Sequence, residues 1–191
     1  EPKIETVDPE KLRCFPGQTR PDDWLTIPQF AAREGRRLVK QLEQSNWGDD
    51  LEEILILLEA YHHQENMKHH PRERLRGVLE DLFDSPRRGK ILIAELEGEM
   101  VGYALLVRRY SFEYASEVAV LDEIFVRGRA RERGLGRQMI NHCEEYAASE
   151  GMPAMTLEVS MTNISAREFY RSVGFQRIDR EIYARNISSA R

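Results

Sequence analysis

The chain has 191 residues, enough for one well-cored domain with material left for an extension. Its 28 basic and 33 acidic residues leave a net charge of −5, which gives no global footprint for nucleic acid or an anionic membrane, so a small or local partner is expected. No apolar run reaches membrane-spanning length, no signal-peptide core stands at the start, and two cysteines, Cys14 and Cys143, make no disulfide framework; the expectation is a soluble protein of the reducing cytoplasm.

Residues 1–35 contain Pro2, Pro9, Pro16, Pro21 and Pro28 without sustained periodicity and are read as an N-terminal extension to a domain over 36–191. A short strand is expected at 37–42. Asp49 and Asp50 precede Glu52 and Glu53 at capping-box spacing, and Leu51, Ile54, Leu55 and Leu58 form one stripe, so a helix starts there. A second helix follows Pro71, with Leu75, Val78, Leu79, Leu82 and Phe83 at three- and four-residue steps and Pro86 as its stop.

Residues 90–96 and 100–110 read as an antiparallel hairpin around Glu97-Gly98-Glu99, and 118–126 continues the sheet. A helix over 135–146 presents Leu135, Met139, Ile140, Cys143 and Ala147 on one side, making Cys143 a packed thiol, and ends at Gly151 as a left-handed cap. Residues 154–160 alternate Met155, Leu157 and Val159 as a strand. The last helix is expected to start near Ser165, whose spacing to Glu168 makes a second capping box, and to stop before Gly174. Short strands at 175–178 and 181–184 close the chain. The order predicts an α/β fold with a mixed, partly antiparallel central sheet of six to seven strands and flanking helices.

Arg131, Gly134 and Gly136 stand in R-x-x-G-x-G spacing at the turn from the 118–126 strand into the next helix. Glycine removes side chains that would hold a ligand off the backbone, and the first helical N–H groups have no intrahelical partner, so the expected ligand is a phosphate or pyrophosphate. A Walker loop does not fit, and the dinucleotide pattern fails at Met139. Alone the pattern could equally be a glycine-containing surface turn. In the last helix Ala166, Phe169 and Val173 cluster on the core side, while Asn163, Arg167 and Tyr170 share an adjacent side free to face a ligand. The alternative is that Asn163 caps a turn and Tyr170 is a half-buried aromatic.

Taken with Phe169-Tyr170 and Gly174-Phe175, these positions resemble the GCN5-related N-acetyltransferase (GNAT) family over about residues 36–185. The resemblance implies an acyl-CoA N-acyltransferase fold with acetyl-CoA as co-substrate. Ile124, Phe125 and Val126 would meet the pantetheine arm through backbone groups, and Arg131, Glu132, Arg133, Gly134, Leu135, Gly136 and Arg137 would hold the phosphates. Asn163, Arg167 and Tyr170 would flank the thioester end. Many members have glycine where this chain has Glu132 and proline where it has Gly128, which implies weaker cofactor affinity at worst. The stretch 121–126 is most similar to members that acetylate polyamines or diamines.

Acetyl transfer to an amine requires loss of a proton from a group whose reference pKa is near 10.4. Glu123 and Asp122 are candidates for removing it or for attracting a cationic acceptor; successive strand side chains face opposite ways, so one of the two is expected in the cleft. Tyr170 is the candidate acid for the leaving thiolate. The acceptor side is assigned to Asp122, Tyr61, His62, Glu65 and Glu158. The adjacent pairs His62-His63 and His69-His70 invite a metal, but no cysteine or paired carboxylate completes a site, and none is expected. The implied reaction is acetylation of a small polyamine, diamine or amino-acid-like amine. Alternatives are a protein lysine or N-terminal amine acetyltransferase and a non-catalytic acyl-CoA-binding sensor. No nucleic-acid or membrane partner is expected, and the resemblance admits a homodimer.

Overall fold

The structure, a computed structural model, describes residues 37–41 and 47–187, with side chains from Asp50 onward. The predicted extension at 1–35 and Cys14 lie outside the described residues. In chain order the elements are β1 (Arg37–Gln41), α1 (Trp47–Gln64), α2 (Arg72–Phe83), β2 (Gly89–Leu96), β3 (Glu99–Ser111), β4 (Ser116–Val126), a 3-10 turn at Gly128–Ala130, α3 (Leu135–Ser149), β5 (Met155–Leu157) and α4 (Ile164–Ser172). They form one sheet in the order β1-β2-β3-β4-β5. The first three pairings are antiparallel, and β4 pairs with β5 in parallel, as a strand pair joined by a crossover helix must.

Alternating side chains divide the core into two layers. On one face of the sheet Leu92, Ala94, Val101, Ala104, Leu106, Ala119 and Leu121 pack against Leu135, Met139, Ile140, Cys143 and Ala147 of α3. On the other, Ile91, Ile93, Met100, Tyr103 and Phe125 pack against α1 through Leu51, Ile54, Leu55, Leu57 and Leu58, and against Leu79 of α2. Ile54, Leu55 and Leu57 are fully buried, and burying each such side chain contributes about 1.5–3 kcal/mol, which outweighs the propensity of any single residue in α1.

Several predicted boundaries are corrected. The described sheet has five strands, not six to seven, because 175–178 and 181–184 form none. Ile178, Ile182 and Tyr183 are 54%, 67% and 87% exposed, and a strand forms where its side chains find a surface to pack on. Helix α1 begins at Trp47, so the Asp49/Asp50 pair falls inside its first turn and is not its cap. Ser165 lies inside α4; the cap is Asn163, whose side-chain Oδ1 accepts from Ala166 N at 3.1 Å. The predicted 154–160 strand shortens to Met155–Leu157.

The shortening follows from β4. Leu106 pairs with Leu121 and Leu105 with Glu123, so Asp122 opposes nothing on β3 and is the extra residue of a β-bulge. Below the bulge Ala119 and Leu121 face α3. Above it Glu123 and Phe125 face α1, while Ile124 and Val126 face α3. A regular strand would put Glu123 on the same side as Leu121. Pairing with β5 stops at Leu121–Leu157, and β4 runs five residues further without a partner on that edge.

Candidate active site

Beyond Leu121 the unpaired edge of β4 opens a cleft of about 680 Å³. Its floor is Ile124, Phe125 and Val126, one wall is Tyr61, Gln64 and Glu65 of α1, and the other is Glu158, Val159, Ser160 and α4. The glycine turn closes one end. A strand edge beside open space leaves backbone N–H and C=O groups available to an extended ligand.

The turn adopts the conformation its glycines allow. Gly134 has φ +78 and leads directly into α3, whose first bond to it is Gln138 N on Gly134 O at 3.1 Å. By helix geometry the amides of Leu135, Gly136 and Arg137 come before that bond and lack intrahelical acceptors, and all three residues line the cleft. Gly136 meets a second constraint besides the cleft it lines. A Cβ there would stand 3.1 Å from Phe169 Cζ, so glycine lets α3 and α4 approach. Glu132 has φ +61, a left-handed conformation that L side chains adopt at a cost, and this accounts for the glycine common at the same place in the resembling family.

Arg131 folds back across the cleft: its Nε donates to Val126 O at 2.8 Å, its Nη2 donates to the Gln64 side chain, and its guanidinium lies 5.9 Å from the Phe125 ring centre. Gln64 was not singled out from sequence, since nothing in the helix pattern marks a polar residue in the last turn of α1. Asn163 and Tyr170 line the cleft. Asn163 caps α4 and its amide nitrogen reaches Glu65 Oε2 at 3.5 Å. Arg167 does not line the cleft; it donates to Met161 O at 2.9 Å. Arg133 also lies off the lining.

The Tyr170 ring packs on Phe169 and edge-on to Phe175, at centroid distances of 5.4 and 5.8 Å. Burial, then the charge of Glu65, pushes its phenol up to about 12. Tyr61 on the facing wall is pushed up to about 12 by burial, then by Glu123, Glu65, Tyr170 and Asp122. Both hydroxyls therefore remain donors through neutral pH.

The two strand carboxylates separate. Asp122 is exposed at the bulge, and desolvation around its carboxyl, then the charges of Glu123 and Glu158, raise its pKa above the ordinary value. Glu123 turns under Tyr61, where Tyr103 Oη donates to its Oε2 at 2.6 Å and His62 Nε2 meets its Oε1 at 3.0 Å. Neither Asp122, Glu123 nor His62 forms the lining itself; Tyr61, in ring contact with His62, Tyr103 and Phe125, stands between the Glu123 group and the cleft. Tyr103 escaped the sequence reading because an inward tyrosine on a strand looks like any core aromatic. Among the described residues no three His, Cys, Asp or Glu side chains gather as a metal site, and no helix is long and apolar enough to cross a membrane.

Residues 49–175 match the acetyltransferase (GNAT) family. An uncharacterised N-acetyltransferase of Methanocaldococcus jannaschii is 31% identical over 158 residues, 81% of this chain and 69% of that protein. YhfO of Bacillus subtilis, also named an N-acetyltransferase, is 31% identical over 86 residues, 45% of this chain; the match spans 58% of its length. The aminoglycoside N-acetyltransferase AAC(6')-Iy, solved in complex with CoA, has the same fold, with a TM-score of 0.66 at 22% identity over 78% of this chain and 94% of its own. With its parallel β4–β5 pair opening beside a glycine turn into α3, the chain belongs to the GNAT family of acetyl-CoA-dependent N-acetyltransferases.

Proposed function

We propose that the cleft takes acetyl-CoA and a primary amine and that the chain passes the acetyl group directly from one to the other. The observation that carries this reading is the unpartnered β4 edge meeting the open turn at Gly134: the edge offers backbone groups to an extended arm, and the turn offers orphan amides to phosphates. In this reading Ile124–Val126 hold the pantetheine and the amides of 132–137 hold the pyrophosphate. Acetyl-CoA supplies an activated acyl carbon and a thiolate leaving group. Asn163 and the Tyr170 hydroxyl border its thioester end, and Tyr170 donates to the departing sulfur. Glu123, which does not itself line the cleft, takes the proton of the attacking ammonium through bridging water past Tyr61.

The acceptor is a small cationic amine of the polyamine, diamine or amino-acid type. Glu65 and Glu158 on opposite walls, with Asp122 at the bulge, support a positively charged guest, and a structural relative is named for acetylating an aminoglycoside, an amino sugar with several amines. A thiol-release screen across polyamines, amino acids, aminoglycosides and peptides tests this. Turnover with small cationic amines is expected. Turnover with peptides alone would move the assignment to protein acetylation, and acetyl-CoA stabilising the fold without any turnover would make the chain a binding module.

A further inference from the structure

Glu123 is gripped at both oxygens, and the two donors differ in kind. Tyr103, whose Oη bonds Oε2 at 2.6 Å, is 2% exposed; burial, then Glu123 itself, raises its pKa well beyond the working range, so it is a fixed donor. His62, whose Nε2 lies 3.0 Å from Oε1, is a donor of another kind, because an imidazole can carry one ring proton or two. The His62 side chain is 15% exposed and that of Glu123 12%, so the contact is shielded but solvent can still deliver a proton to the ring. A positive charge at 3.0 Å in such a place acts far more strongly than at the open surface.

We propose that His62 is a positioning residue that holds Glu123 and sets its basicity according to pH, and that it makes no direct contact with the acceptor. It rests on the reading of Glu123 as the proton acceptor. A neutral imidazole donating from Nε2 fixes Oε1 while leaving the carboxylate negative and able to take a proton. Once Nδ1 is also protonated, the imidazolium stabilises the bare carboxylate, Glu123 becomes a weaker base, and acetyl transfer slows on the acid side. The ionisable groups around the pair are Tyr61 and Glu65 from α1, Tyr103 from β3 and Asp122 from β4; Arg131 lies over the neighbouring Phe125 ring. Among these only Arg131 is cationic, and a guanidinium is a permanent charge, so the imidazole is the switchable one. The placement also explains why His62 can face Glu123 while Tyr61 beside it lines the cleft: neighbours on a helix diverge by about 100°.

The test is kcat at saturating acceptor and acetyl-CoA as a function of pH for the wild type, His62→Gln and His62→Phe. Glutamine keeps an N–H donor and cannot take a second proton. His62→Gln is expected to lose the acid limb of kcat and to lower the plateau roughly 3- to 10-fold, with both KM values unchanged. His62→Phe is expected to lower kcat roughly 10- to 100-fold, since it leaves Oε1 without a donor. Thermal stabilisation by acetyl-CoA should be equal in all three. An acid limb retained in His62→Gln overturns the proposal, as does a raised acceptor KM at unchanged kcat, which would make His62 an acceptor contact. If the wild type turns over no amine, the underlying reading fails and this one with it; if the wild type is active and Glu123→Gln is as active, only the assignment of the base fails and His62 loses its role.

Discussion

Changing Tyr170 to Phe removes one hydroxyl and keeps the ring in its packing against Phe169 and Phe175. The phenol is pushed up to about 12. A thiol resembling that of CoA sits near 8.5, so complete transfer from a group near 12 crosses about 3.5 pK units, an uphill step of about 5 kcal/mol. Tyr170 therefore does best by holding its proton and donating a hydrogen bond to the charge that gathers on sulfur, which modifies the expectation of a full acid. A hydrogen bond to a charged partner contributes about 1.5–3 kcal/mol, so Tyr170→Phe should lower kcat about 10- to 150-fold. Thiol release by the two proteins across neutral and alkaline pH is the assay. The two profiles should share one shape and differ by a constant factor. An alkaline limb present in the wild type and absent in Tyr170→Phe would refute the reasoning, because it would mean that the proton itself is lost. Unchanged turnover would remove the residue from the reaction altogether.

Further outcomes follow from the turn and the helix caps. Gly134→Ala keeps open space around its Cβ but is forced to φ +78, so it should cost about 1–2 kcal/mol in thermal denaturation and weaken acetyl-CoA binding. Glu132→Gly relieves a residue at φ +61 and removes a negative charge from the turn; titration should show tighter acetyl-CoA, with stability unchanged or higher by up to about 1 kcal/mol once the entropy of glycine is counted. Asn163→Ala should lose about 0.5–2 kcal/mol of stability and Asn163→Asp should restore most of it, since an aspartate also caps; if both variants melt like the wild type, the cap at Ala166 N contributes nothing. Cys143, fully buried with its thiol pushed up to about 12, should resist thiol reagents in a Cys14→Ser background until the protein unfolds.

Most of the fold was legible because its elements carry strong periodicity. The α3 stripe of Leu135, Met139, Ile140, Cys143 and Ala147 is buried as a unit, and the hairpin and the strand over 118–126 appear with ends shifted by only a residue or two. What stayed hidden depends on contacts distant in sequence. Asn163 and Ser165 are both competent caps by residue type, and the structure uses Asn163. The tail strands look adequate by propensity yet find no packing surface. Gly134 and Tyr170, which carry local sequence signals, both line the cleft, whereas the grip of Tyr103 and His62 on Glu123 joins three elements and has no local signal. The bulge is likewise invisible to a period-two reading, which keeps counting through it.

That uncounted residue makes β4 unusually tolerant of a deletion. Excising Asp122 would leave Leu121 and Glu123 opposite Leu106 and Leu105 in unbroken succession, with every side chain still on the layer it occupies now. A one-residue loss in a strand ordinarily inverts all that follows it. Here the shortened chain would keep its core and lose only its bend. Asp122 thus behaves as a removable wedge, and the straightened strand would stay zipped to β5 past Leu157, leaving a folded protein with nowhere for a long, thin guest to lie.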